Sequence, residues 1–273
     1  MHDRKILNEQ LIISTVEIAK EAGKAITEIY NSDFDYQLKK DLSPITAADN
    51  LSHNIITERL KILTPKIPIL SEENCDIPYT IRAQWTQYWL VDPLDGTKEF
   101  IKRNGEFTVN IALIHNKTPV LGLVQAPALN DIYLGISGEG AFKIKDGIKF
   151  PIITDQISKN LCRIIVSRSH QSLKETRFIR MAGRNFKKVE LHRAGSSLKL
   201  CRVAEGSADI YPRLGPTFQW DIAAGQAVLK SAGGNVIDLE GHQLDYLCDH
   251  TRKNPDFLAI GDVNKEWAST LRQ

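Results

Sequence analysis

The chain has 273 residues, 42% of them hydrophobic, enough to bury a substantial core, which excludes a disordered tail protein or a disulfide miniprotein. Its 35 basic and 33 acidic side chains leave a formal net charge of +2, too balanced for a nucleic-acid-coating surface or an acidic solvating tail. Any anion is therefore expected to be bound locally, with no nucleic-acid partner. Cys75, Cys162, Cys201 and Cys248 are far apart and form no CxxC or Cys/His cluster, which points to a reducing compartment rather than a zinc module or disulfide framework. No apolar run approaches the ~20 residues that span a bilayer, and the start MHDRKILNEQ lacks the apolar core and cleavage site of a signal peptide. The expectation is a soluble cytoplasmic chain, with peripheral attachment to the cytoplasmic face of an inner membrane left open.

Ile6, Leu7, Leu11, Ile12, Val16, Ala19, Ala22, Ala25, Ile26 and Ile29 recur at helical spacing and predict one long amphipathic helix. Residues 49 to 63 repeat that pattern. Pro65 and Pro68 then break the chain around the apolar run Ile67 to Leu70, which reads as a strand followed by Ser71-Glu72-Glu73. A second run, Tyr88 to Val91, reads as a strand leading into DPLDGT. Phe107 to Ile114 and Val120 to Val124 read as strands flanking a Lys117-Thr118-Pro119 turn, and Asp146-Gly147 signals a hairpin. Periodicity is lost near 150 to 160, which sets a soft boundary between an N-terminal α+β part, 1–155, and a C-terminal α/β part, 156–273. Beyond it come a strand from Arg163 to Val166, a helix over 172 to 184, and GSSLKLCRVAEG as a second helix. ADIYPRL follows as a strand, DIAAGQAVLKSA as a helix ended by Gly233-Gly234, and Phe257 to Ile260 as a final strand.

Three acidic stretches sit at element boundaries: Ser71-Glu72-Glu73, Asp92-Pro93-Leu94-Asp95-Gly96-Thr97, and Trp220-Asp221 at the opening of a helix. Hard divalent cations such as Mg²⁺ take oxygen ligands and are held by a few carboxylates, with substrate phosphate and water completing the shell. Glu72, Asp92, Asp95 and Asp221 are the right ligand type. In DPLDGT the proline stiffens the loop and Asp-Gly permits a tight turn, so two carboxylates three positions apart can face one site while the Leu94 carbonyl is left free. The Gly96 and Thr97 N–H groups would add an anion cradle if they open a helix. Each stretch also has an ordinary structural reading: Asp221 as an N-cap, Asp-Gly as a turn, Glu72-Glu73 as a solvated pair. Together they are more specific, because like charges brought close require a compensating cation.

These motifs resemble the lithium-sensitive, magnesium-dependent phosphomonoesterases, the superfamily of inositol monophosphatases and bisphosphate nucleotidases. VDPLDGTKEF is similar to its first signature, WDIAAGQAVLKSAGG to its second and ILSEEN to the acidic element before them, in the same order along nearly the whole chain. The resemblance implies an α/β (α+β) fold, a layered αβαβα sandwich. It implies two to three Mg²⁺ ions, one held by Glu72, Asp92 and the Leu94 carbonyl and a second by Asp92, Asp95 and Asp221, with a third, weaker ion near Glu72. It also implies that Thr97 orients the attacking water and that Asp49, in ITAADN, accepts the proton of the threonine hydroxyl, making Asp49, Thr97 and Glu72 the catalytic set. On local sequence alone Asp49 reads equally well as the N-cap of the helix that follows.

Lys98-Glu99-Phe100 after DGT is similar to the bisphosphate nucleotidase branch rather than the inositol monophosphatase branch. SRSH at 167 to 170, GSSLK at 195 to 199 and ADIYPRLGP at 208 to 216 are similar to nucleotide-binding segments of that branch. The resemblance then assigns Gly96, Thr97, His170, Ser196, Lys199, Arg213 and Asp221 to the substrate, with Lys199 and Arg213 on a 5′-phosphate that is held but not cleaved. The implied activity converts adenosine 3′,5′-bisphosphate to AMP and phosphate, with the adenylyl-sulfate analogue as a second substrate, in sulfur assimilation and nucleotide recycling. The alternatives are an inositol monophosphatase with the same metal chemistry and a non-catalytic nucleotide- or phosphate-binding regulator.

Overall fold

Helix α1 (Glu9–Tyr30) begins where Asn8 accepts a hydrogen bond from the Leu11 N–H at 2.8 Å, and it buries Leu11, Ile12, Val16, Ala19, Ala22 and Ile26 along one face. The structure is a computed structural model describing residues 7–38, 44–158, 160–168, 172–246, 251–265 and 267, so His170 and Cys248 lie outside the described residues. A two-stranded ribbon, β1 (Tyr36–Leu38) and β2 (Pro44–Thr46), leads into α2 (Ala47–Leu63), which packs beside α1.

A seven-stranded sheet follows: β3 (Ile69–Ser71), β4 (Gln87–Asp95), β5 (Thr108–His115), β6 (Thr118–Ala126), β7 (Asp131–Ile136), β8 (Gly140–Lys145) and β9 (Ile148–Ile152). The first pair is parallel and the rest form an antiparallel meander. Short helices α3 (Tyr79–Arg82) and α4 (Thr97–Ile101) flank β4. The second sheet has the order β11-β10-β12-β14-β13, from β10 (Leu161–Ser167), β11 (Lys188–Ala194), β12 (Ile210–Arg213), β13 (Asn235–Asp238) and β14 (Phe257–Ile260). Between and outside these strands run α5 (Leu173–Asn185), α6 (Leu198–Ala204) and α7 (Gln219–Ser231).

The two-residue period of the strands builds the layers. Trp89, Val91, Ile111, Leu113, Leu121 and Leu123 meet the α1/α2 layer, while Tyr88, Leu90, Ala112, Ile114 and Val124 point the other way onto α6, α7 and the second sheet. A third core joins Ile164, Val166, Ile210 and Leu258 of the second sheet to Phe178 and Ala182 of α5. The order helix, sheet, helix, sheet, helix is the αβαβα sandwich that the sequence motifs implied.

Glycines seat α7. A Cβ on Gly122 of β6 would lie 2.3 Å from the Ala224 carbonyl oxygen, and one on Gly135 of β7 would lie 2.5 Å from that of Ala227. The helix therefore rests on the sheet at a separation that only glycine permits, which fixes the height of Asp221 at its first turn.

Several expectations shift by a few residues. The strand expected to end at Val91 runs on to Asp95, because Asp92 and Asp95 pair with Asn110 and Thr108 across a register shift that accommodates Pro93. The turn between β5 and β6 falls at Asn116-Lys117, both in the left-handed region, and Thr118 and Pro119 already belong to β6. Strand β9 occupies Ile148–Ile152 and runs into the start of the stretch read as losing periodicity.

Candidate active site

Alternation along β4 carries Tyr88, Leu90 and then Asp92 to the side that meets α7, so the Asp92 carboxyl arrives buried, at 1% exposure. The Leu94 N–H donates to its Oδ1 at 3.1 Å, and the Ser52 hydroxyl holds the Pro93 carbonyl at 2.8 Å. The register shift re-aims Asp95 into the same cavity, and Gly96 takes φ 87° so that the chain can turn into α4. Thr97 opens that helix, as expected, and the Phe100 N–H bonds back to the Gly96 carbonyl at 2.9 Å. Glu72 reaches the same place from the end of β3, where its N–H donates to the Val91 carbonyl at 3.0 Å.

Asp49 and Asp221 occupy the third helical position rather than the N-cap that their ordinary structural reading offered. In α2 the cap is Thr46, whose N–H and hydroxyl both donate to Asp49 Oδ2 at 2.7 Å. The other oxygen, Oδ1, accepts the Thr97 hydroxyl at 3.3 Å, an alternative geometry for which is the Leu94 carbonyl at 3.4 Å. In α7 the Phe218 N–H donates to Asp221 Oδ2 at 2.9 Å. Capping and site-building use different oxygens of the same side chain at Asp49, so the two readings of that residue are not exclusive.

Glu72, Asp92, Leu94, Asp95, Gly96, Thr97, Ser196, Lys199, Arg213 and Asp221 line one cavity of about 290 Å³. Asp49 stands behind Thr97. Burial first, then Glu72, Asp95, Asp221 and Asp49, pushes the Asp92 carboxyl well above the ordinary carboxylate range. Burial and the neighbouring Asp95 and Glu72 do the same to Asp221, against the opposing Phe218 N–H and Arg213. Carboxylates forced together in this way are relieved by a cation, and an all-oxygen donor set of four carboxylates and one carbonyl suits a hard divalent ion. The residues present therefore fit Mg²⁺, with Glu72, Asp92, Asp95, Asp221 and the Leu94 carbonyl as the groups that could hold it.

In the same cavity, Lys199 is buried, donates to the Ser196 carbonyl at 2.6 Å and lies 5.3 Å from the centre of the Tyr211 ring. Burial brings its ammonium down to about 8, opposed chiefly by Asp95. Arg213 is tied to the Pro216 carbonyl at 2.8 Å. The Ser196 hydroxyl donates to Asp95 Oδ2 at 2.7 Å, so it touches a candidate metal ligand as well as the cavity. The hydroxyl of Ser197, passed over in the sequence, shares its one proton between the same oxygen at 2.9 Å and the Asp221 carbonyl at 2.6 Å. Its place inside GSSLK was the available signal. The stacked pair Phe218 and Trp220, 4.8 Å apart, also lines the cavity and was not singled out.

The sequence pattern of the inositol monophosphatase family matches residues 7–264. The chain belongs to that family. It is 47% identical over 244 residues to a 3′(2′),5′-bisphosphate nucleotidase CysQ of Salmonella typhimurium, an alignment covering 88% of this chain and 96% of the relative. A solved CysQ structure from Bacteroides thetaiotaomicron, described as a bacterial member of the inositol monophosphatase family, superposes with a TM-score of 0.82 at 35% identity, covering 94% of this chain and 98% of the other. An inositol monophosphatase from Anabaena (Nostoc) has a TM-score of 0.76 at 24% identity, covering 97% and 96%, a likeness of fold. Among the described residues no helix is long and apolar enough to cross a membrane.

Proposed function

We propose that the chain removes the 3′-phosphate of adenosine 3′,5′-bisphosphate, giving AMP and phosphate, with Mg²⁺ held by Glu72, Asp92, Leu94, Asp95 and Asp221. That it is a phosphatase follows from its family and from relatives sharing 35–47% of their residues with it. The observation that carries the site reading is the buried Asp92, crowded by Glu72, Asp95 and Asp221 in a cavity that Thr97 also lines, with Asp49 hydrogen-bonded to Thr97. Held by these residues, a divalent cation would supply Lewis-acid polarisation of the phosphoryl group and charge stabilisation for the leaving oxygen.

The chain's own residues supply the rest. Asp49, fixed by Thr46, holds the Thr97 hydroxyl so that its oxygen accepts from, and orients, a water facing the phosphorus. Lys199 and Arg213, which line the cavity, grip the 5′-phosphate; His170, outside the described residues, is assigned to the nucleotide by resemblance alone. The nucleotidase relatives favour this substrate over an inositol phosphate, since the likeness to inositol monophosphatases is one of fold. We also assign the metal ligands other than Asp221 to a part spanning 1–155, with Asp221 and the nucleotide pocket in 156–273, and place the enzyme in the cytoplasm.

Incubation with adenosine 3′,5′-bisphosphate and Mg²⁺, followed by chromatography of the products, tests the reading. AMP is the expected product and chelation of the metal stops its formation; release of the 5′-phosphate, leaving 3′-AMP, would overturn it.

A further inference from the structure

The turn at residues 195–197 is held from behind by two residues that touch neither the cavity nor any candidate metal ligand. The Arg168 guanidinium, just past the end of β10, meets the Glu106 carboxylate with two parallel hydrogen bonds, Nε to Oε2 at 2.6 Å and Nη2 to Oε1 at 2.8 Å. Glu106 Oε2 also accepts the Gly195 N–H at 2.8 Å. One carboxylate thus joins three segments: the approach to β5, the exit of β10 and the turn after β11. The fit is close, since a Cβ on Gly195 would lie 2.7 Å from the Glu106 carbonyl oxygen and 2.8 Å from Glu99 Cγ.

What the turn carries gives the contact its consequence. Ser196 sits in the left-handed region at φ 53°, an uncommon place for a residue with a Cβ, and its hydroxyl and that of Ser197 both donate to Asp95 Oδ2. Oδ2 is engaged by the two hydroxyls, while Oδ1 accepts no hydrogen bond among the described residues and is left for a cation. The Ser197 hydroxyl also lies 2.6 Å from the Asp221 carbonyl and shares its one proton between the two acceptors, so the same turn links candidate ligands from β4 and α7.

We infer that Glu106 and Arg168 are positioning residues: they lock the 195–197 turn so that Ser196 and Ser197 hold Asp95 in the orientation that receives a divalent cation. The inference rests on the reading of Asp95 as a metal ligand. Groups that orient a ligating carboxylate set metal affinity as well as the ligands themselves do. A bidentate Arg–carboxylate pair suits the task, because its planar fork fixes direction as well as distance.

Binding of Mn²⁺ to the full chain, followed by electron paramagnetic resonance of the free ion, provides a readout apart from turnover. Glu106→Ala is expected to weaken binding by roughly tenfold or more. Glu106→Gln, which keeps an acceptor for the Gly195 N–H, restores part of that loss, and Arg168→Met, which keeps Glu106 on Gly195, shows a smaller loss in the same direction. Measurement well below each variant's unfolding temperature separates positioning from general stability. If Glu106→Ala binds Mn²⁺ as the unaltered chain does, the inference is overturned; should that variant not fold, equal binding by Arg168→Met overturns it instead. If the unaltered chain itself binds no Mn²⁺, the reading of Asp95 as a ligand fails and the inference falls with it.

Discussion

The Thr97 hydroxyl donates to the Asp49 carboxylate at 3.3 Å, joining the first residue of α4 to the first turn of α2. Asp49 is itself held by two 2.7 Å hydrogen bonds from Thr46, so the threonine oxygen is aimed by a helix cap at the other side of the site. Thr97→Ala is therefore expected to lower kcat on the order of 10²-fold with little change in KM, since orienting a water matters in the transition state. Thr97→Ser, which retains the hydroxyl, recovers most of the rate. Steady-state kinetics on the three proteins decides; an effect confined to KM would make Thr97 a binding residue.

Asp92 predicts a stability effect that needs no substrate. Its folded-state pKa lies above its unfolded value, so the metal-free folded chain binds more protons than the unfolded chain between those two values, and this group's contribution to stability falls as pH rises through that window. Asp92→Asn removes the penalty. Without metal the variant is expected to melt above the unaltered chain at pH 7, and to lose most of the stabilisation that added Mg²⁺ confers. Calorimetry with and without the ion measures both, and an Asp92→Asn protein that still gains stability from Mg²⁺ would remove Asp92 from the ligand set.

Lys199 gives a prediction in alkaline solution. With its ammonium lowered from the usual 10.5 to about 8, it is charged below that value and neutral above it. The unfolded chain keeps the proton to higher pH, so this group's contribution to folded stability rises with pH between the two values while its grip on phosphate is lost. KM for adenosine 3′,5′-bisphosphate is expected to rise as pH passes about 8, and KM for 3′-AMP, which has no 5′-phosphate, to follow it much less. Lys199→Met should flatten the difference between the two substrates; a difference that persists assigns the pH response to another group.

Arg213→Ala carries the same logic at fixed pH. A charge-assisted contact contributes on the order of 1.5–3 kcal/mol, so kcat/KM for the bisphosphate is expected to fall roughly 10- to 150-fold. Hydrolysis of 3′-AMP should fall far less. Equal losses on both substrates would mean that Arg213, already tied to the Pro216 carbonyl, supports the fold.

Much of this was legible in the sequence because the relevant patterns are local. The helical spacing of α1 and α2 and the apolar runs of β5, β6 and β14 mark elements whose burial follows their own periodicity. Strand β11, with the polar sequence KVELHRA, lies mostly exposed at a sheet edge and has no apolar pattern to read. In β4 the local signal was overridden: Asp-Pro and Asp-Gly mark a loop, yet pairing with Asn110 and Thr108 keeps the chain in the sheet to Asp95. The carboxylates were visible as residue types at element ends. That Ser196 and Ser197 would bond to Asp95, 101 and 102 positions away, depends on the packing of the two sheets and has no counterpart in either segment alone.

The seat of α7 makes a stability prediction away from the chemistry. Gly122→Val places methyl groups where the Ala224 carbonyl lies, and is expected to cost about 1–3 kcal/mol and to raise the Mg²⁺ concentration for half-maximal activity by displacing Asp221. Thermal unfolding together with a metal titration checks it, and an unchanged metal requirement would show that α7 accommodates the change without moving its first turn.

Substrate choice is the centre of the account, and one comparison addresses it most directly: kcat/KM for adenosine 3′,5′-bisphosphate and for inositol 1-phosphate, measured on the same protein at the same Mg²⁺ concentration. Lys199 and Arg213, which line the same cavity as the carboxylates, predict a clear preference for the nucleotide. A preference for inositol 1-phosphate would contradict it.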